Sequence, residues 1–218
     1  AFEAIREIVA NLKNDVSGTL RLGIIPTIAP YLLHRLIPDF TKKYPKVDLM
    51  IREMKSRDII HALRHDMLDA AIMSGGTIPD DIQEEDLFND RFFVYVSPDH
   101  PLRQRNNIRI EDIDPRRMLL LSEGNCLRCL PRKNTTRQYA FDCNSIETLM
   151  RIVDSTPNSF TVVPEMVTEF IEEPHRSQLK TLAKGAVSRK ISIAVRRTYA
   201  KSSLIAALKE SILTVAGK

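Results

Sequence analysis

The sequence predicts an α/β fold made of two halves of similar grammar, and three observations carry that expectation. From Thr19 to Met73, short alternating apolar runs are separated by amphipathic stretches at helical spacing, in the order β-α-β-α-β. After Pro98 a second series with the same alternation begins, without a close sequence repeat. With 218 residues, 43% hydrophobic and 28% charged, the chain has apolar surface enough for one large core or two small ones.

Residues 1 to 13 set Phe2, Ile5, Ile8, Val9 and Leu12 at helical spacing with charges between them, a narrow apolar stripe that needs something to pack on. Asn14-Asp15 and Ser17-Gly18 end it. Leu20, Leu22 and Ile24 alternate as a first strand. Pro26 stops that strand, and Thr27 reads as the N-cap of a helix with Tyr31, Leu32, Leu36, Ile37 and Phe40, running to Lys42-Lys43 and Pro45. Val47, Leu49 and Ile51 form a second strand, Ser56 caps a helix with Ile59, Ile60 and Leu63, and Leu68 to Met73 is a third strand closed by Ser74-Gly75-Gly76. Such alternation implies right-handed crossovers and a mainly parallel sheet covered on both faces.

Ile82 to Phe88 and Arg91 to Ser97 read as two further strands, the second rich in β-favouring Phe92, Phe93, Val94 and Tyr95. Pro98 and Pro101 bracket His100 in a turn, and the passage into the second half is placed there. Ile110 to Ile113 reads as a short helix, Met118 to Leu121 as a buried strand, Pro131 to Arg137 as a mobile basic loop, and Gln138 to Cys143 as a strand. Ser145 caps a helix with Ile146, Leu149, Met150 and Val153. Phe160 to Val163 is a strand whose Pro164 suits the first turn of a helix through Phe170. Leu179 to Leu182 and Lys190 to Val195 complete the strands, and Leu204, Ile205, Leu208, Ile212 and Leu213 mark a last surface helix.

Composition excludes several functions. No apolar run approaches the roughly 18 residues a membrane span needs, and the start of the chain has no signal-peptide core. Thirty-two basic against 28 acidic residues give +4, but they are scattered, and 6% aromatic residues do not make a base-stacking platform, so any contact with DNA is expected from another segment. Seven glycines without a Gly-x-Gly-x-x-Gly argue against a dinucleotide cofactor, and no cofactor is expected. Three cysteines, an odd number, do not form a secreted disulfide framework and point to the cytoplasm. The chain opens inside a helical pattern without an initiator Met, which predicts a fragment of a longer protein.

The stretch Ser122-Glu123-Gly124-Asn125-Cys126-Leu127-Arg128 concentrates the chemistry. It places Cys126 just past the carboxyl end of the Met118 to Leu121 strand, where sites in α/β folds gather. Gly124 lets the backbone approach closely, and the fixed charge of Arg128 favours thiolate over thiol. A buried structural cysteine is the competing reading. Cys126-Leu127-Arg128-Cys129 is formally a Cys-x-x-Cys, either a redox pair or half a zinc site; zinc is the weaker choice because Cys143 is the only other thiol and no His-x-x-x-His follows. His34, His61, His65, His100 and His175 read as surface or satisfied histidines, with no spacing that makes a metal site or couples them to a nucleophile. Thr27 and Ser56 read either as caps or as hydroxyls at helix starts facing a ligand, and Arg196-Arg197 as solvated charges unless a site lies beside them.

Gly18 to Ile25, Pro26-Thr27-Ile28-Ala29-Pro30-Tyr31-Leu32-Leu33 and Leu68-Asp69-Ala70-Ala71-Ile72 together resemble the effector-binding domain of LysR-type transcriptional regulators. Gly124-Asn125-Cys126-Leu127-Arg128 and Ser145-Ile146-Glu147-Thr148-Leu149 resemble its peroxide-sensing members, and the match runs over nearly the whole chain. The resemblance implies two Rossmann-like subdomains with a cleft between them, like periplasmic binding proteins. Residues 1–14 would end a linker helix, 18–96 with 197–218 would form subdomain I, and 97–196 would form subdomain II; a helix-turn-helix domain would precede them. It also implies no enzyme activity, a cytoplasmic homodimer or tetramer, DNA binding through the preceding domain, and activation of oxidative-stress genes.

In such proteins hydrogen peroxide oxidises a peroxidatic cysteine, here Cys126, which condenses with a resolving cysteine, here Cys129 with Cys143 as the fallback. Thr27, Ser56, Asn125 and Arg196 take the peroxide-contacting positions. The resolving cysteine ordinarily lies a full loop beyond the first, whereas Cys129 is three positions on. The intact motifs on both sides favour residues skipped between Arg128 and Cys129 over a deletion. The alternative class is a LysR-type or periplasmic-like module that binds a small organic anion, its cysteines structural. A thiol peroxidase is set aside because nothing in the chain resembles that fold.

Overall fold

The computed structural model describes residues 16–75, 78–109, 112–119, 145–182, 187–199 and 201–217. The chain divides into two compact units, residues 1–88 with 190–218 and residues 89–189. The division falls inside two long strands, Ile82–Val96 and Ser188–Arg196, whereas the sequence reading placed it at 96/97 and 196/197. Residues 1–14, the expected linker helix, lie outside the described residues.

In the first unit, β1 (Gly18–Ile24), α1 (Ala29–Lys43), β2 (Val47–Glu53), α2 (Ser56–Arg64) and β3 (Ala70–Ser74) follow one another as the periodicity predicts. β1 pairs in parallel with β2 (Ile24 opposite Glu53) and with β3 (Ile24 opposite Ile72). The parallel sheet ends there, because β8 (Ser188–Arg196) joins β3 antiparallel, with Ala71 opposite Ala194. Leu20, Leu22 and Ile24 are fully buried, as their alternation requires. Gly23 is needed for close packing: a Cβ there would lie 2.5 Å from Leu68 Cδ1 and 3.3 Å from Ile59 Cγ1. The last helix, α4 (Ser202–Ala216), packs on α1, and Tyr44 Oη donates to Glu210 at 3.0 Å.

Two expected caps are corrected. α1 begins at Ala29 with Ile28 as N-cap, and α2 begins at Ser56 with Lys55 as N-cap; neither cap residue makes a side-chain capping bond. The reason at α1 is an extra turn: the N–H groups of Ile28 and Ala29 both reach the Ile25 carbonyl, so Thr27 lies in that turn, ahead of the helix.

In the second unit the carboxyl half of β4 (Ile82–Val96) pairs antiparallel with β6 (Phe160–Pro164) and with β7 (Leu179–Leu182), and β5 (Asn107–Ile108) adds in parallel to β7. The pairings differ from the parallel pattern of the first unit. β4 is one continuous strand of 15 residues where the sequence suggested two. Asn89-Asp90 reads as a break, but Asp90 is buried and engaged: its Oδ2 accepts from Arg189 Nε and Nη2, each at 2.9 Å, and Oδ1 accepts from Met166 N at 3.2 Å. A satisfied buried ion pair keeps a polar residue inside a strand. Residues Glu165–Phe170 form a 3-10 helix, tighter than the α-helix expected after Pro164. Phe92, Val94, Val96, Ile108, Phe160, Val162 and Leu182 form the core of this unit.

Candidate functional site

β1 and β2 run parallel in register, so the segments that leave them emerge at the same edge of the sheet. Thr27 follows β1 by three residues, buried in the turn before α1. Ser56 follows β2 by three residues as the first residue of α2, half-buried. The Met54 N–H reaches the Ile24 carbonyl at 2.9 Å and the Ile25 N–H reaches that of Ile72 at 3.2 Å, which holds the three strand exits together. Ser74, buried at the end of β3, belongs to this edge as well. Its position at the close of the third strand was legible, but nothing in the residue type marked it.

Both α1 and α2 start at this edge. A helix start carries a partial positive charge and N–H groups without partners in the helix, so the edge suits a polar or anionic group. The hydroxyls of Thr27 and Ser56 add donors and acceptors that carry no charge.

Arg196 is placed elsewhere. β8 runs antiparallel to β3, with Ser74 opposite Ile191 and Ala71 opposite Ala194, so its last residue, Arg196, lies beyond the amino-terminal end of β3. Its Nη1 pairs with Asp66 Oδ2 at 2.7 Å and its Nε donates to Thr198 Oγ1 at 3.0 Å. The sheet therefore brings Thr27 and Ser56 to one edge and Arg196 to the other.

Asn125, Cys126, Cys129 and Cys143 lie outside the described residues, as does Arg128. The chain on either side of them is well anchored. Met118 bridges Phe160 in parallel, Leu119 N donates to the Phe160 carbonyl at 2.9 Å, and Thr161 Oγ1 returns a bond to the Leu119 carbonyl at 2.9 Å. Of the expected Met118 to Leu121 strand, Met118 and Leu119 are described, and they form an isolated bridge beside β6. On the far side, Ser145 caps α3 (Ile146–Ser155) as its sequence predicts, accepting from Thr148 N at 3.1 Å. The last turn of α3 is fixed in turn: Asp154 Oδ1 accepts from the buried Tyr95 hydroxyl at 2.8 Å and from Gln178 Nε2 at 2.7 Å. Burial and the Asp154 carboxylate hold the Tyr95 hydroxyl protonated far above its ordinary range.

The histidines fall largely as expected. His100 caps a short 3-10 turn through a bond from Leu102 N at 3.1 Å, and burial pushes its imidazole below the usual range.

Residues 13–217 match the family model of the LysR substrate binding domain. The chain belongs to that family. Among its curated relatives is the hydrogen peroxide-inducible genes activator of Haemophilus influenzae, 28% identical over 170 residues, which make up 74% of this chain and 55% of the relative. Another is the HTH-type transcriptional regulator EstR of Acinetobacter baylyi, 32% identical over 163 residues, 71% of this chain and 52% of the relative. The chain therefore spans about half the length of these relatives. Among solved structures, OxyR from Porphyromonas gingivalis superposes with a TM-score of 0.84 at 27% identity, covering 91% of this chain and 93% of that one. The periplasmic-binding-protein-like α/β fold expected for a LysR-type effector domain agrees with this likeness.

Proposed function

We propose that this LysR-type domain is the regulatory part of a transcription factor that detects hydrogen peroxide by oxidation of Cys126. The observation that carries the reading is the likeness, over most of the chain, to a hydrogen peroxide-inducible genes activator and to OxyR, joined to the Gly-Asn-Cys-Leu-Arg motif. The Cys126 thiolate attacks one peroxide oxygen, the O–O bond breaks, and the cysteine becomes a sulfenic acid while hydroxide leaves and takes up a proton as water. A second thiol then displaces water from the sulfenic acid to form a disulfide; Cys129 is the first choice and Cys143 the fallback. Thr27, Ser56 and Asn125 supply uncharged hydrogen-bonding groups, which a small neutral peroxide requires. The family resemblance also names Arg196, which the sheet register sets at the other edge with its guanidinium on Asp66.

Disulfide formation needs Cα atoms about 4.4–6.8 Å apart, so a partner held farther away obliges the backbone to move. In this reading that rearrangement changes how two chains associate, respacing DNA-binding domains that belong to the full-length protein, as a cytoplasmic homodimer or tetramer.

Stopped-flow oxidation followed by peptide mapping tests the reading. Cys126 should react with hydrogen peroxide orders of magnitude faster than a free thiol of pKa about 8.5, and mapping should find it bonded to Cys129. A model-thiol rate and three free thiols after treatment would instead favour a small organic anion as effector. That second reading draws on the two helix starts beside Thr27 and Ser56.

A further inference from the structure

The carboxyl end of α2 carries two ligand-bearing side chains that the peroxide reading does not use. The rings of His61 and His65 are stacked, with centroids 4.1 Å apart and planes at 24°, and both residues are exposed. His65 Nδ1 lies 2.8 Å from the His61 carbonyl oxygen. A carbonyl oxygen only accepts, so His65 Nδ1 carries the proton and its Nε2 keeps a free lone pair turned away from the backbone. Metal-binding histidines are commonly fixed in this way, one ring nitrogen donating to a carbonyl so that the other is held ready as a ligand.

From the four-residue spacing and the bond that fixes the His65 tautomer we propose that His61 and His65, one ring rotating out of the stack so that both lone pairs meet, form a chelating site for one divalent transition-metal ion of the zinc, nickel or copper class. Two histidines four apart share one helix face, the arrangement that places both imidazoles on one metal in helical zinc motifs. Among the described residues no group of three or more His, Cys, Asp or Glu side chains is arranged to hold a metal. Water would therefore fill the remaining positions, making an open clamp rather than a closed structural site. The charged neighbours leave the rings accessible: Arg64 is drawn to Asp81 at 2.8 Å, Asp66 to Arg196 at 2.7 Å, and Asp58, one turn before His61, lies 3.6 Å from Arg57.

The four-residue spacing of His61 and His65 is legible in the sequence, although these histidines were assigned no metal spacing there; what the fold adds is the cap, in which His65 N and Nδ1 both meet the His61 carbonyl and fix the tautomer. A metal held there would tie the last turn of α2 to its cap and stabilise the folded chain by mass action.

The test is a Zn2+ titration of the full chain labelled with 15N-histidine. The Nε2 resonances of His61 and His65 should shift together, at lower Zn2+ than those of His34, His100 and His175, and return on acidification as protons compete for the same nitrogens. In His61→Asn, reaching half the His65 shift should take on the order of 100-fold more Zn2+, because the second ligand is no longer held at high effective concentration; His65→Asn should do the same to His61. A His65 shift that is unchanged in His61→Asn, or no shift of either ring below about millimolar Zn2+, would overturn the proposal. Both substitutions are on the surface, and an unchanged circular dichroism spectrum distinguishes lost chelation from lost folding.

Discussion

The two edges of the β2-β1-β3-β8 sheet are built from opposite materials. At the carboxyl edge stand two helix starts and the hydroxyls of Thr27 and Ser56. The amino edge is a lattice of ion pairs. Asp69, almost fully buried, accepts from Arg21 through its backbone N at 2.8 Å, its Nε at 3.1 Å and its Nη2 at 2.7 Å, and Lys201 Nζ lies 3.1 Å away. Beside it Arg196 holds Asp66, and Arg64 holds Asp81. Arg21, Lys201, Arg196 and Arg64 each hold a carboxylate, so that edge fastens the chain. The carboxyl edge instead sets two helix dipoles beside two uncharged hydroxyls.

The largest expected effect lies at Thr27. Thr27→Val keeps the shape and removes the hydroxyl, so a peroxide held there loses one hydrogen bond of about 1.5–3 kcal/mol, which slows Cys126 oxidation by about one to two decades. Thermal stability should change little by comparison, and an unchanged oxidation rate in stopped flow would reduce Thr27 to a packing residue of its turn.

Asp69→Asn should do the reverse, costing about 2 kcal/mol of stability because Arg21 and Lys201 lose a charged acceptor, while the oxidation rate stays put. Burial raises the Asp69 carboxyl, but the Arg21 side chain and backbone and Lys201 outweigh it, leaving its pKa below the ordinary 3.8. A depressed folded-state pKa stabilises above the unfolded value and loses that stabilisation as the pH falls through the folded one. The deficit of Asp69→Asn in urea unfolding should therefore hold from neutral pH to about pH 4 and shrink below it. A deficit that grows on acidification would mean that the carboxylate is not the stabilising form.

How legible these edges were depends on the kind of information each needs. Strand alternation from Leu20 to Ile24 and the helix periodicity of Tyr31, Leu32, Leu36 and Phe40 are local patterns, and β1, α1, β2, α2 and β3 follow from them. Ser145 was a readable cap because its backbone partner, Thr148 N, is three residues away. Thr27 and Ser56 were legible as residues that follow strands, but their shared edge comes from the β1–β2 register, which pairs residues about 29 apart. The continuity of β4 rests on Arg189, 99 residues from Asp90, and no window around Asn89-Asp90 contains it. The edge that Arg196 reaches was not locally legible in the same sense, since the antiparallel course of β8 against β3 decides it. Cys126, the centre of the sequence argument, lies outside the described residues, so its case rests on the motif and on the anchored ends at Leu119 and Ser145.

The smallest effect expected is at Arg196, and it separates the two edges most cleanly. The family resemblance assigns Arg196 to the peroxide-contacting set, while the sheet register sets it at the amino edge with its guanidinium occupied by Asp66 and Thr198. The Asp66 side chain is 74% exposed, and an ion pair so open to water contributes less than about 1 kcal/mol. Arg196→Ala should therefore lower stability only slightly and leave the rate of Cys126 oxidation within about twofold, a barrier change of about 0.4 kcal/mol. Raising the ionic strength should erase most of the small stability loss, because exposed pairs are screened while a hydrogen bond to peroxide is not. A drop in oxidation rate as large as that of Thr27→Val would place Arg196 among the groups that act on the peroxide. It would also show that the division of this sheet into a binding edge and a fastening edge does not hold at β8.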